Sequence, residues 1–200
     1  MNNSELLKLC KTNLYDTDKF VEDSKVAEWT DGKHSYVESV YDQLFERIRT
    51  TKNVLEIGIW TGGSHLLWQE YFSEATVVGI DIAYCPALGN QPRIIQIQAD
   101  AYRKETSDLF KNNLFDLIID DGPHTFQSML LAIQNYLPKL SDEGILCIED
   151  IPEYGWMYDL SATVPKELQQ CIKVFDLRET DKKYDSLLMV IDKGVMYGKS

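Results

Sequence analysis

The stretch VLEIGIWTGGS, residues 54–64, decides how the rest of the chain is read. Its first half is apolar except for Glu56, as in a strand covered by helices on both faces. Its second half carries Gly58, Gly62 and Gly63, which let a chain turn tightly and bring backbone close to a ligand. A helical stretch follows from Ser64 to Phe72, with Ser64 placed to cap it. Strand, glycine turn and helix in that order form the binding corner of open α/β sheets, where ligands sit beyond the carboxyl ends of strands. Two common ligands fit poorly. A dinucleotide loop, GxGxxG, needs glycine where Trp60 stands, and no Gly-Lys-Ser/Thr follows to make a phosphate loop.

Outward from that corner, β-like runs alternate with amphipathic stretches. TVVGIDI begins at Thr76, RIIQIQA at Arg93, FDLIIDD at Phe115 and GILCIED at Gly144. Thr125 to Leu137 reads as a helix with Thr125 as N-cap and an end at Pro138. The alternation predicts an α/β fold with a largely parallel sheet. The last two runs, CIKVFDLRE and SLLMVIDK, are separated only by TDKKYD. That is too short for a helical crossover, so they should pair antiparallel. Residues 1–50 read as a helical and irregular cap segment packed over the ligand face. Residues 51–200 read as a single folded unit.

Acidic residues stand at the expected strand ends. Glu56, before the first glycine, suits a ligand ammonium group better than a phosphate. Asp81 ends the second strand, where Rossmann-like folds bind ribose hydroxyls. Asp100 ends the third, where it could accept a bond from an exocyclic amine. Three acids around a glycine turn describe a cationic nucleoside such as S-adenosylmethionine, with Gly58, Gly62 and Ser64 completing its site.

The fourth strand ends in Asp120, Asp121 and then His124, and the fifth in Glu149 and Asp150. If those strands are neighbours, four carboxylates converge, and like charges that close either raise one another's pKa values or need a cation. Hard oxygen donors suit Mg²⁺. Such an ion could bind substrate hydroxyls and acidify one of them. His124, three residues past Asp121, is placed to take the proton, a role suited to imidazole.

VLEIGIWTGGS, GIDI, DDGPH and IED, in that order, resemble the metal-dependent sugar O-methyltransferases of macrolide antibiotic biosynthesis, the mycinamicin and tylosin type. They also resemble the related cephalosporin-hydroxylase-like proteins. YDTDKF and HSYVESVYDQLF look like that family's N-terminal TDK and HxY elements, so the resemblance runs from Tyr15 to Asp150. It implies a class I methyltransferase fold, with a mostly parallel seven-stranded sheet and a C-terminal antiparallel hairpin. It further implies Asp121, Glu149 and Asp150 as metal ligands, His124 as base and Asp120 against the cofactor. Pro123 stands where the family often has Ser, and the chain leaves little room for insertions that recognise a macrolide. A bare sugar or small polyol is therefore the expected acceptor.

The bulk properties bound the alternatives. A net charge of −12 disfavours nucleic acid and anionic membranes as partners. Cys10, Cys85, Cys147 and Cys171 show no metal or redox spacing. The N-terminus has no apolar signal core and no run is long enough to span a bilayer, so a cytoplasmic location is expected. His34 and Tyr36 could line the substrate pocket or simply begin a helix, and His65 reads as structural. The aromatic EYGWMYDL segment, beginning at Glu153, reads as a loop that is either a substrate lid or a homo-oligomer interface. Two other readings keep the fold: hydroxylase-like chemistry, and a cofactor-binding module without turnover.

Overall fold

The computed structural model describes residues 5–13, 36–181 and 183–198. The YDTDKF element and His34 lie outside the described residues. The elements are α1 (Glu5–Asn13), α2 (Asp42–Glu46), β1 (Asn53–Ile57), α3 (Gly63–Tyr71), β2 (Thr76–Asp81) and β3 (Ile94–Gln98). They continue with α4 (Lys104–Ser107), β4 (Phe115–Asp120), α5 (Phe126–Tyr136), β5 (Leu140–Ile148), α6 (Trp156–Thr163), β6 (Ile172–Asp176), α7 (Arg178–Asp181) and β7 (Leu187–Asp192).

The strands form one seven-stranded sheet in the order β3-β2-β1-β4-β5-β7-β6. The first five run parallel, and β7 is antiparallel to both β5 and β6, as the short connection requires. This is the expected Rossmann-like methyltransferase sheet. The strand order reverses between β1 and β4, so their carboxyl ends flank the crevice where such sheets bind ligands.

Strand alternation divides the core into two layers. Leu55, Ile57, Ile118 and Ile148 face α5 and α6. Val54, Leu117, Ile119, Cys147 and Val190 face α3 and the N-terminal elements. Cys147 is the small buried hydrophobe expected of it. Among the described residues no helix is long and apolar enough to cross a membrane.

Two local expectations need correction. Helix α3 starts at Gly63 and its N-cap is Gly62 in the left-handed region, φ 82°, so Ser64 lies inside the first turn and is not the cap. The aromatic segment after Ile151 is largely helix α6, with Trp156 edge-on to Phe126 at 5.4 Å. The described residues of the N-terminal segment pack on the α3 layer, and none of them lines the ligand cavity. It is tied to the C-terminal strand by Arg47, which bonds Glu143 O at 3.0 Å and pairs with buried Asp192.

The crevice depends on one close approach. Gly58 has φ +96°, and a Cβ there would lie 2.0 Å from the Asp121 carbonyl oxygen. Gly58→Ala should therefore lose roughly 3 kcal/mol or more in urea unfolding, since backbone must move and the conformation is strained. Gly155→Ala, where a Cβ meets nothing within 4 Å, should stay within about 0.5 kcal/mol. Equal stability of the two variants would show that the β1–β4 approach is not tight.

Candidate active site

A cavity of about 1030 Å³ opens at the carboxyl ends of β1, β2 and β4. Glu56, Gly58, Ser64, Asp81, Asp100, Asp121 and His124 line it, whereas Gly62, Asp120, Glu149 and Asp150 stand outside its wall. Its volume is that of a site for a small-molecule cofactor.

The glycine loop is held from the next strand. Asp81 accepts from the Ile59 N–H at 2.8 Å and from the Ala83 N–H at 2.9 Å, so one carboxylate joins the two loops of the cavity mouth. Asp100 accepts from the Tyr102 N–H at 3.0 Å and is half exposed on the wall. Glu56 is buried, and its Oε2 accepts from Trp68 Nε1 at 3.0 Å with His65 Nδ1 at 3.3 Å. It therefore lines the cavity while its carboxylate is held from α3. His65, fully buried on that helix, is the structural residue expected.

Apolar side chains that sequence reading passed over complete the mouth. Ile82 and Tyr84 follow Asp81 and stand exposed there together with Trp60. Large apolar groups exposed around a concave site indicate a face that meets a ligand. The GIDIAY stretch carried a signal: an isoleucine and a tyrosine directly past a strand-ending acid.

The four acids at the ends of β4 and β5 do not meet at one point, contrary to expectation. Alternation turns Asp120 toward the α5 layer, where its Oδ1 accepts from the Tyr102 hydroxyl at 2.7 Å. Burial raises the Asp120 carboxyl to about 7, opposed by that hydroxyl. Alternation turns Glu149 toward the opposite layer, where Oε1 accepts from the Tyr41 hydroxyl. Residues farther along, Asp121 and His124 after β4 and Asp150 after β5, do converge. Ligand atoms of Asp121, His124 and Asp150 lie within 4.8 Å of one another, and His124 Nε2 is 3.6 Å from Asp121 Oδ1.

Backbone strain gathers at the same place. Among non-glycine residues, positive φ occurs at Trp60 (46°), His124 (51°) and Asp150 (50°), on the cavity or the acid–imidazole group, and at Asn113 elsewhere. Strain of this kind persists where surrounding structure over-determines it. At His124 that structure is the capping box of α5, in which Thr125 Oγ1 accepts from the Ser128 N–H at 3.1 Å and Ser128 Oγ from the Thr125 N–H at 3.1 Å. At Asp150 it is Tyr36, which donates to Oδ1 at 2.5 Å and accepts from the Asp150 N–H at 3.2 Å. Burial and the adjacent carboxylates push both the Tyr36 and Tyr41 phenols well above the ordinary range, so both remain donors.

Residues 40–148, more than half of the chain, match the family described as FtsJ-like methyltransferase. The chain is 30% identical over 137 residues to 8-demethyl-8-alpha-L-rhamnosyl tetracenomycin-C 2'-O-methyltransferase of Streptomyces olivaceus, covering 62% of this chain and 35% of that protein. It is 30% identical over 126 residues to mycinamicin VI 2''-O-methyltransferase of Micromonospora griseorubida, covering 58% and 31%. The chain thus spans about a third of the length of these curated relatives. Its fold matches the MycE methyltransferase from the mycinamycin biosynthetic pathway, solved in complex with Mg and SAH. The TM-score is 0.69 at 21% identity, over 94% of this chain and 54% of that one.

Removing the cap that follows His124 tests how the imidazole is held. Thr125→Ala should cost about 1 kcal/mol in thermal or urea unfolding, and Thr125→Ser much less. No loss in the alanine variant would mean that the box does not support this corner.

Proposed function

This chain belongs to the FtsJ-like methyltransferase family, and from that premise we propose that it transfers a methyl group from S-adenosylmethionine to a hydroxyl of a sugar or small polyol. One observation carries this reading: the acid–imidazole group, Asp121, His124 and Asp150, adjoins a cofactor-sized cavity at the strand-order reversal. The named relatives are O-methyltransferases of glycosylated polyketides, which supports a hydroxylated sugar as acceptor. Residues 51–200 are the transferase unit of the proposal and residues 1–50 its cap segment.

The residues present fit both groups the reaction needs. Glycine backbone, Asp81 and Asp100 on the wall, and apolar Ile82 at the mouth suit a nucleoside. Glu56, Gly62 and Ser64 belong to the same proposed cofactor corner, and Asp120 supports it from beneath Tyr102. Two carboxylates, Asp121 partly buried and Asp150 buried, beside an imidazole suit a divalent cation such as Mg²⁺ or Mn²⁺. When bound, S-adenosylmethionine supplies the electrophilic methyl and the cation supplies Lewis acidity toward the acceptor hydroxyl.

The remaining work falls to the protein. Asp121 and Asp150 would hold the ion. Glu149, the third proposed ligand, would reach it only by giving up the Tyr41 hydroxyl. His124 Nε2, 3.6 Å from Asp121 Oδ1, takes the acceptor proton. The close β1–β4 approach would fix the acid–imidazole group relative to the cofactor cavity, the positioning that an in-line transfer needs.

The direct test is transfer of labelled methyl from S-adenosylmethionine to a panel of simple glycosides and polyols, with Mg²⁺ or with EDTA. Label on an acceptor oxygen only when metal is present is the expected result, and no transfer to any member would oppose the reading. Asp121→Asn should weaken Mn²⁺ binding by more than tenfold and lower turnover with it, while S-adenosylhomocysteine still binds. His124→Ala should lower kcat about a hundredfold or more yet keep Mn²⁺ affinity. Loss of Mn²⁺ binding in that variant would make His124 a ligand instead of the base.

A further inference from the structure

Residues 36 and 41 are five apart, which in an α-helix would place their side chains on different faces. Here the segment Val37–Tyr41 is a π-type turn, closed by the Asp42 N–H on Val37 O. One turn of that wider helix brings Tyr36 and Tyr41 to the same side, with ring centroids 5.8 Å apart. Both side chains are buried, and Tyr41 stacks on Phe45 at 4.4 Å. Their hydroxyls reach consecutive residues at the end of β5: Tyr36 bonds Asp150 and Tyr41 bonds Glu149.

We infer that Tyr36 and Tyr41 are positioning residues, through which the N-terminal segment fixes the carboxylates of the metal site. A phenol can donate and accept at once. Tyr36 uses both capacities on one residue, donating to Asp150 Oδ1 and accepting from the Asp150 N–H. The single hydroxyl therefore fixes the rotamer of Asp150 and also its strained backbone, φ 50°. A phenylalanine would fill the same space and do neither. Tyr41 holds Glu149 in the adjoining layer, so the two acids of the IED stretch are kept apart instead of competing for one place. Outer-shell partners of metal ligands commonly change metal affinity by about 10–100-fold. The inference rests on the metal-assisted reading above.

Mn²⁺ binding, followed by the resonance of the free ion, tests it alongside calorimetry with S-adenosylhomocysteine and thermal unfolding. Tyr36→Phe should weaken Mn²⁺ binding about tenfold or more and leave S-adenosylhomocysteine affinity within about twofold. Val37→Ala truncates a buried neighbour that touches neither acid through a hydroxyl; it should lower the unfolding temperature and leave Mn²⁺ affinity unchanged. If Tyr36→Phe does not fold, Tyr41→Phe tests the other tie: it releases Glu149 from the adjoining layer and should raise Mn²⁺ affinity, not leave it at the wild-type value. Wild-type Mn²⁺ affinity in the phenylalanine variants would overturn the positioning role alone. Equal weakening by Val37→Ala would overturn it too, because packing and not the hydroxyl would then be responsible. A wild-type chain that binds no Mn²⁺ would remove the metal reading, and this inference with it.

Discussion

The structure turns on how closely β1 and β4 approach at their carboxyl ends. The Asp121 N–H bonds Ile57 O at 2.9 Å, and the Asp121 carbonyl lies where a side chain on Gly58 would begin. That contact needs a glycine in the left-handed region and two strands brought together by the reversal of strand order. Everything functional is measured from it. The glycine loop leaves on one side to form the cavity, and the Asp121–His124 segment leaves on the other to form the acid–imidazole group. A displacement of 1 Å at this corner would separate the two, and methyl transfer tolerates little error in line or distance.

A second constraint is the two-residue period of a strand. Paired acids at a strand end look like one cluster in sequence, but the pleat sends consecutive side chains to opposite layers. Asp120 and Glu149, the acids nearest the strands, are each drawn into a layer and held by a tyrosine, Tyr102 and Tyr41. Asp121 and Asp150 lie just past the strand ends, where the chain can bend, and these two meet. The divided arrangement keeps like charges from crowding one point, which would be costly in a buried site.

Much of this was legible in the sequence because it rests on local pattern. Five runs of Ile, Val and Leu marked the parallel strands, and a six-residue connection marked the antiparallel hairpin. Thr125 was readable as a cap because its partner, Ser128, is three residues away. Other features depend on distant chain. The polar SDE residues hide the first half of β5, which begins at Leu140 and shifts register against β4 before resuming at Ile145. The cap of α3 belongs to Gly62, since the turn demands positive φ and a side-chain cap cannot supply it. The destinations of Tyr36 and Tyr41 lie 114 and 108 residues downstream, and a π-type turn has no compositional signature.

Calorimetric titration of S-adenosylhomocysteine into the protein, with Mg²⁺ and again with EDTA, tests the cofactor cavity most directly. Of the three proposed metal ligands only Asp121 lines the cavity, so saturable one-to-one binding is expected under both conditions. No binding under either would contradict a methyl-donor site at the β1–β4 corner and would return a dinucleotide such as NAD to consideration.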